Sequence, residues 1–168
     1  KNEHNVVDVL SFVIPGSYHS PDLKKKFGEN FYHVSYIGFV LIVSAVFGWF
    51  SSRHKAGPFW LLLIIFFFIM TLGPFLYVKG RFVTMGGSPL KLPFYYVFKY
   101  VPFFSTVGHP QRFFPVLGLA LMVYASFGWT HLLKKIRYPA LTAIFIGTLL
   151  VLENLFLSPA PYPIDAGK

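Results

Sequence analysis

Cysteine is absent from the chain, which excludes disulfides, thiolate catalysis and cysteine-based zinc sites. Acid is scarce as well. The six carboxylates are Glu3, Asp8, Asp22, Glu29, Glu153 and Asp165, and none stands in a D-x-D or E-x-x-E arrangement. The sequence therefore presents no carboxylate pair and no hard-metal loop. His4, His19, His33, His54, His109 and His131 show no H-x-x-x-H spacing, which argues against zinc. No G-x-S-x-G, Walker loop or G-x-G-x-x-G occurs. The pattern offers no catalytic set, no metal site and no cofactor.

Charge of either sign is thin. Only 12% of the 168 residues are charged, against about 25% in a soluble domain. In its place stand 21 Phe and 10 Tyr, with 55% of the chain hydrophobic. The net charge of +9 raises nucleic acid as a partner, but the basic residues lie between long apolar runs and form no continuous face. A surface apposed to anionic headgroups fits the same charge better.

Four runs have the length and apolarity of membrane helices, for which about 20 residues are needed. They are Tyr32 to Phe50, Phe59 to Tyr77, Phe113 to Leu133, and Pro139 to Leu157. Pro58, Pro115 and Pro139 fall in or beside a first helical turn, where the missing N–H is harmless. Gly73-Pro74 should kink or end the second run. The expected fold is all-α: a polytopic membrane protein with four transmembrane helices and a long amphipathic interfacial loop between the second and third. Its expected parts are an interfacial segment (residues 1–31), a four-helix region (residues 32–157, with the loop at 78–112) and a tail (residues 158–168). The chain starts at Lys1 and ends in a proline-rich run without a structural close, so both ends read as cuts through a longer protein.

Two connections are short and basic, holding Arg53 and Lys55, then Lys134, Lys135 and Arg137. The long segments hold Lys24, Lys25, Lys26, Lys79, Arg81, Lys91, Lys99 and Arg112. By density the short loops carry the excess, which places them in the cytoplasm of a plasma (inner) membrane. By raw count the long segments do, so charge alone does not decide the orientation.

The aromatic stretch "LPFYYVFKYVPFF" (Leu92 to Phe104) is too short to span and should lie in the headgroup layer or re-enter shallowly, and "VVDVLSFVIP" (Val6 to Pro15) is a weaker version of it. "GFVLIVSAVFGW" (Gly38 to Trp49) and "GLALMVYASFGW" (Gly118 to Trp129) form an internal repeat. It reads either as a duplicated helical hairpin or as two helices that separately use small residues for close approach and tryptophan as an anchor.

The candidate site lies on the long-loop side. Lys79 and Arg81 follow the second run, and His109 and Arg112, within Gly-His-Pro-Gln-Arg, precede the third. Cationic donors converging from two loop edges suit a phosphate, because guanidinium binds its oxygens bidentately. Gly80, Gly86 and Gly87 would let backbone approach a ligand. The alternative is that these cations are interfacial anchors. Glu153, the one acid inside a run, is either a functional intramembrane carboxylate or an interfacial group meeting water or a basic partner such as Arg112.

These segments resemble large bacterial and archaeal polytopic proteins related to GT-C glycosyltransferases. Leu72, Gly73, Pro74, Leu76 and Gly80 match an L-G-P-x-L-x-x-x-G element. Leu92, Pro93 and Pro102 match a second element, and Pro110, Arg112 and Phe113 match R-x-P-x-R-F. Leu10 to Pro21 and Glu153 to Ile164 are similar to loops of such proteins. Gly108 replaces the first arginine of the third motif, with His109 beside it, so a two-arginine clamp is missing. The resemblance implies sugar transfer from a polyprenyl-phosphate donor, outward-facing long loops and a catalytic acid upstream of Lys1. This chain would then be a later, non-catalytic portion whose partners are the bilayer and a lipid-linked sugar. A transporter of repeated hairpins and a ligand-free scaffold are the other readings.

Overall fold

The computed structural model describes residues 6–14, 35–51, 55–101 and 110–157. The chain is mostly helical. A 3-10 turn, Val9–Phe12, precedes α1 (Phe39–Ser51) and α2 (Gly57–Leu72). Four two-residue strands follow: β1 (Tyr77–Val78), β2 (Arg81–Phe82), β3 (Thr84–Met85) and β4 (Ser88–Pro89). Then come α3 (Pro93–Tyr100), a second 3-10 turn (Pro110–Phe113), α4 (Phe114–Leu133) and α5 (Pro139–Leu157).

Two helical stretches are long and apolar enough to cross a membrane, Pro110–Leu133 and Pro139–Phe156. The first has some buried residues, whereas no residue of the second is buried. At 1.5 Å per residue α1 and α2 are shorter, about 20 and 24 Å, against a hydrocarbon layer of about 30 Å.

Proline and glycine set the helix limits. Proline stands in the first turn of α2 and of α4. Gly73, at φ 92°, ends α2 directly before Pro74. The start of α1 differs from expectation: residues 35–38 are not helical, and the helix begins after Gly38 at φ 95°. That positive φ interrupts the helical turn, and the Ile37 amide donates to the Phe12 carbonyl at 3.1 Å instead.

Polar side chains in the helices return to their own backbone. The hydroxyls of Ser44, Thr71, Thr130 and Thr142 donate to the carbonyl four residues earlier, as does the Asn154 amide. Where water is absent, such back-bonding keeps hydroxyls and amides from being left unpaired.

The core gathers Val7, Phe12, Leu41, Ala45, Leu72, Leu117, Leu121, Tyr124 and Ala125. Phe12 is its plug at one end, with ring centroids 4.9 Å from Phe68 of α2 and 6.3 Å from Phe114 of α4. Val6, Val7 and Phe12 are all buried, so the segment read as interfacial fits into the bundle end. The start of α1, the end of α2 and the start of α4 therefore meet at Phe12, and α1 and α4 run in the same direction.

The repeat is the seam of the fold. Leu41 and Leu121, Ser44 and Tyr124, Ala45 and Ala125, and Gly48 and Gly128 occupy matching places in its two copies, and all are buried. Their spacing at i, i+3, i+4 and i+7 lines one stripe of each helix. α1 and α4 pack stripe to stripe. Outside the core the surface is apolar to a degree foreign to water: Phe50, Leu155 and Phe156 are more than two-thirds exposed.

Candidate phosphate-binding site

The loop between α2 and α4 is built on two hairpins, where the sequence reading expected no strand. β1 pairs with β2 and β3 with β4, both antiparallel. Their two-residue turns are Lys79-Gly80 (φ 52° and 74°) and Gly86-Gly87 (φ 62° and 81°). Positive φ at both central positions is the type I′ turn, whose twist suits a tight hairpin. The glycines read as sites of ligand approach serve as these turns. Backbone bonds among Leu76, Val83 and Leu90, 2.8–3.1 Å long, tie the two hairpins together.

Asp8 anchors the first hairpin to the core, and sequence reasoning passed over it. Its buried carboxylate accepts from the Leu10 amide at 2.8 Å and from the Gly80 amide at 2.8 Å. The Tyr77 hydroxyl donates to the Gly80 carbonyl at 2.7 Å. The turn is thus gripped from both sides, and Lys79 and Arg81, exposed on either side of Gly80, are held on a fixed base. An aspartate preceding Val-Leu-Ser-Phe in an apolar run was a visible capping signal.

Arg112 lies in the second 3-10 turn, also exposed. Its neighbours fix that turn: Pro110 is buried, and the Phe113 ring lies 6.0 Å from Phe67 and 6.2 Å from Phe94. Phe94 belongs to α3, whose next residue, Tyr95, lies 5.6 Å from Phe75 at the foot of the first hairpin. Aromatic packing therefore brings Arg112, Lys79 and Arg81 to one end of the molecule. Beside Arg112, the Gln111 side-chain nitrogen is buried with no hydrogen-bond partner among the described residues. His109 lies outside the described residues, as does Pro102.

Glu153 is near this end but is already engaged. Its carboxylate accepts from the Tyr36 hydroxyl at 2.7 Å and from the amides of Phe39 and Val40 at 2.5 and 3.0 Å. These two amides open α1, where the first N–H groups have no helical acceptor and the dipole favours an anion. Its partners are a phenol and a helix start, not Arg112. One carboxylate thus ties the end of α5 to the start of α1.

Among the described residues no group of histidines and acids could hold a metal ion. No protein-family model, curated protein or solved structure matches the chain.

Proposed function

We propose that the chain is a four-span portion of a polytopic membrane protein, glycosyltransferase-like, that holds the phosphate of a lipid-linked sugar at its long-loop end. The observation that carries the reading is Arg112. It is an exposed guanidinium fixed at the mouth of a spanning helix, beside a buried Gln111 nitrogen lacking a partner among the described residues. A buried donor without an acceptor costs about 1–3 kcal/mol, and a phosphate oxygen would supply one. Arg112 would bind the phosphate bidentately, with His109 as second donor and Lys79 and Arg81 adding charge from the Asp8-anchored turn. The short helices α1 and α2 join the two long ones as spans by local thinning of the bilayer and by their flanking segments.

The test is Arg112→Ala in the full-length protein. It should weaken transfer, or binding of a polyprenyl phosphate, about tenfold or more, the scale of one charged hydrogen bond, while membrane insertion is unchanged. Full activity in that variant would sink the reading.

A second reading draws on the repeat, whose copies pack at matching positions as a duplicated hairpin would. A transporter requires Glu153→Gln to abolish solute flux with assembly intact. The capping contacts favour the opposite outcome, a loss of stability.

A further inference from the structure

Between α1, α4 and α5 lies an open cleft of about 470 Å³ that runs from the start of α1, at Phe39 and Val40, to the end of α4 and the start of α5. Val43 of α1, Trp129 and Leu132 of α4, and Thr142, Phe145 and Leu149 of α5 line it. Its surface is almost wholly hydrocarbon, and the Thr142 hydroxyl is turned back to the Tyr138 carbonyl. In water such a cleft would be costly. In a bilayer it opens sideways towards acyl chains, because no residue of the α5 span is buried.

At Phe39 and Val40 the cleft meets the Glu153 carboxylate, already bound by those two amides, and its opposite end is cationic. Between the lining residues Leu132 and Thr142 runs the five-residue connection Lys134-Lys135-Ile136-Arg137-Tyr138, whose three cations are all exposed. The Arg137 guanidinium sits 5.4 Å over the Tyr138 ring, which fixes it near the start of α5. Nothing within the described chain neutralises these cations. Its two acids, Asp8 and Glu153, lie at the other end and are held by backbone amides. A dry slot ending in uncompensated positive charge matches one kind of occupant.

We propose that this cleft binds an anionic glycerophospholipid of the surrounding membrane. One acyl chain lies along Val43, Phe145 and Leu149, and the phosphate meets Lys134, Lys135 and Arg137. The first amides of α5, which have no helical acceptor, face the same headgroup layer. Basic pockets between helices on the cytoplasmic side recognise such headgroups, at about fivefold in affinity per cation. The inference rests on the membrane placement proposed above, but not on the phosphate role of Arg112.

Trp129 reports on the cleft directly. The full chain carrying Trp49→Phe and Trp60→Phe is placed in phosphatidylcholine nanodiscs containing a minor fraction of phosphatidylglycerol brominated on its acyl chains. Trp129 fluorescence should be quenched at a mole fraction at least about fivefold lower than with brominated phosphatidylcholine. Lys134→Gln, Lys135→Gln and Arg137→Gln together should make the two lipids equal. If that variant does not fold, the unaltered cations are tested by salt, and 0.5 M NaCl should erase most of the preference.

Equal quenching by both lipids in the parent protein would overturn the headgroup assignment and leave a cleft filled by any acyl chain. Absence of quenching by either would show that protein, whether a second copy or another segment, fills the cleft, and would overturn the proposal entirely. Arg112→Ala should leave the quenching preference unchanged. That separates a failure here from a failure of the phosphate site.

Discussion

Gly48 and Gly128, tenth residues after Gly38 and Gly118 in the two copies of the repeat, meet backbone to backbone. A Cβ placed on Gly128 would lie 2.5 Å from the Gly48 Cα and 2.8 Å from its nitrogen. A Cβ on Gly48 would lie 2.8 Å from the Tyr124 carbonyl oxygen. The obstructing atoms are backbone, so neither helix can yield without moving away as a whole. The seam between α1 and α4 depends on two missing side chains. Without a hydrophobic driving force, helices in lipid gain their association from such close packing.

Gly128→Ala should therefore destabilise the bundle by about 1–3 kcal/mol, the cost of overpacking a tight contact. Gly118→Ala and Gly147→Ala meet nothing within 4 Å and should be neutral or gain up to about 1 kcal/mol from helix propensity. Thermal unfolding of the three variants in one detergent checks the contrast. A Gly128→Ala protein as stable as the parent would deny the seam.

The two Glu153 substitutions should differ in degree. Glu153→Gln keeps an acceptor for one α1 amide, whereas Glu153→Leu leaves the Phe39 and Val40 amides and the Tyr36 hydroxyl without a side-chain acceptor. The leucine variant should lose about 1–3 kcal/mol or more, with a smaller loss for glutamine. Amide exchange at Phe39 and Val40 reads the effect locally and should accelerate most with leucine.

Asp8→Ala removes the acceptor of the Gly80 and Leu10 amides. Exchange at Gly80 should rise well before the helices lose protection, because the hairpin would be released from the core while α4 stays packed. If the proposed site needs Lys79 and Arg81 held in place, the same variant should weaken polyprenyl-phosphate binding. Its effect should be smaller than that of Arg112→Ala.

Much of this architecture was legible in the apolar runs. Pro58, Pro115 and Pro139 mark helix starts, Gly73-Pro74 ends α2, and the stretches from 113 and 139 appear within one residue of their expected limits. Two things were not. The hairpins have strands of two residues, too short for alternation to register, so Lys79-Gly80 and Gly86-Gly87 read as loop glycines although tight-turn pairs were present. The Glu153 contacts join residues 113 to 117 positions apart, and composition says nothing about which helix start a distant carboxylate will reach. For the site, the cations of Arg112, Lys79 and Arg81 were legible. The local cap that Asp8 gives Leu10 was legible too, but its hold on Gly80 was not, because that bond joins residues 72 positions apart.

The placement of four spans carries the phosphate reading, and the absence of cysteine makes it directly measurable. Single reporters, Ser52→Cys in the first short loop and Ser88→Cys in the second hairpin, can be probed with a membrane-impermeant maleimide on intact cells. Four spans with the short basic loops inside predict labelling of Ser88→Cys from outside, and of Ser52→Cys only after the membrane is permeabilised. Labelling of both from the same side would contradict the bundle as a membrane-crossing unit. Labelling of Ser52→Cys alone would invert the orientation and place Arg112 on the cytoplasmic face.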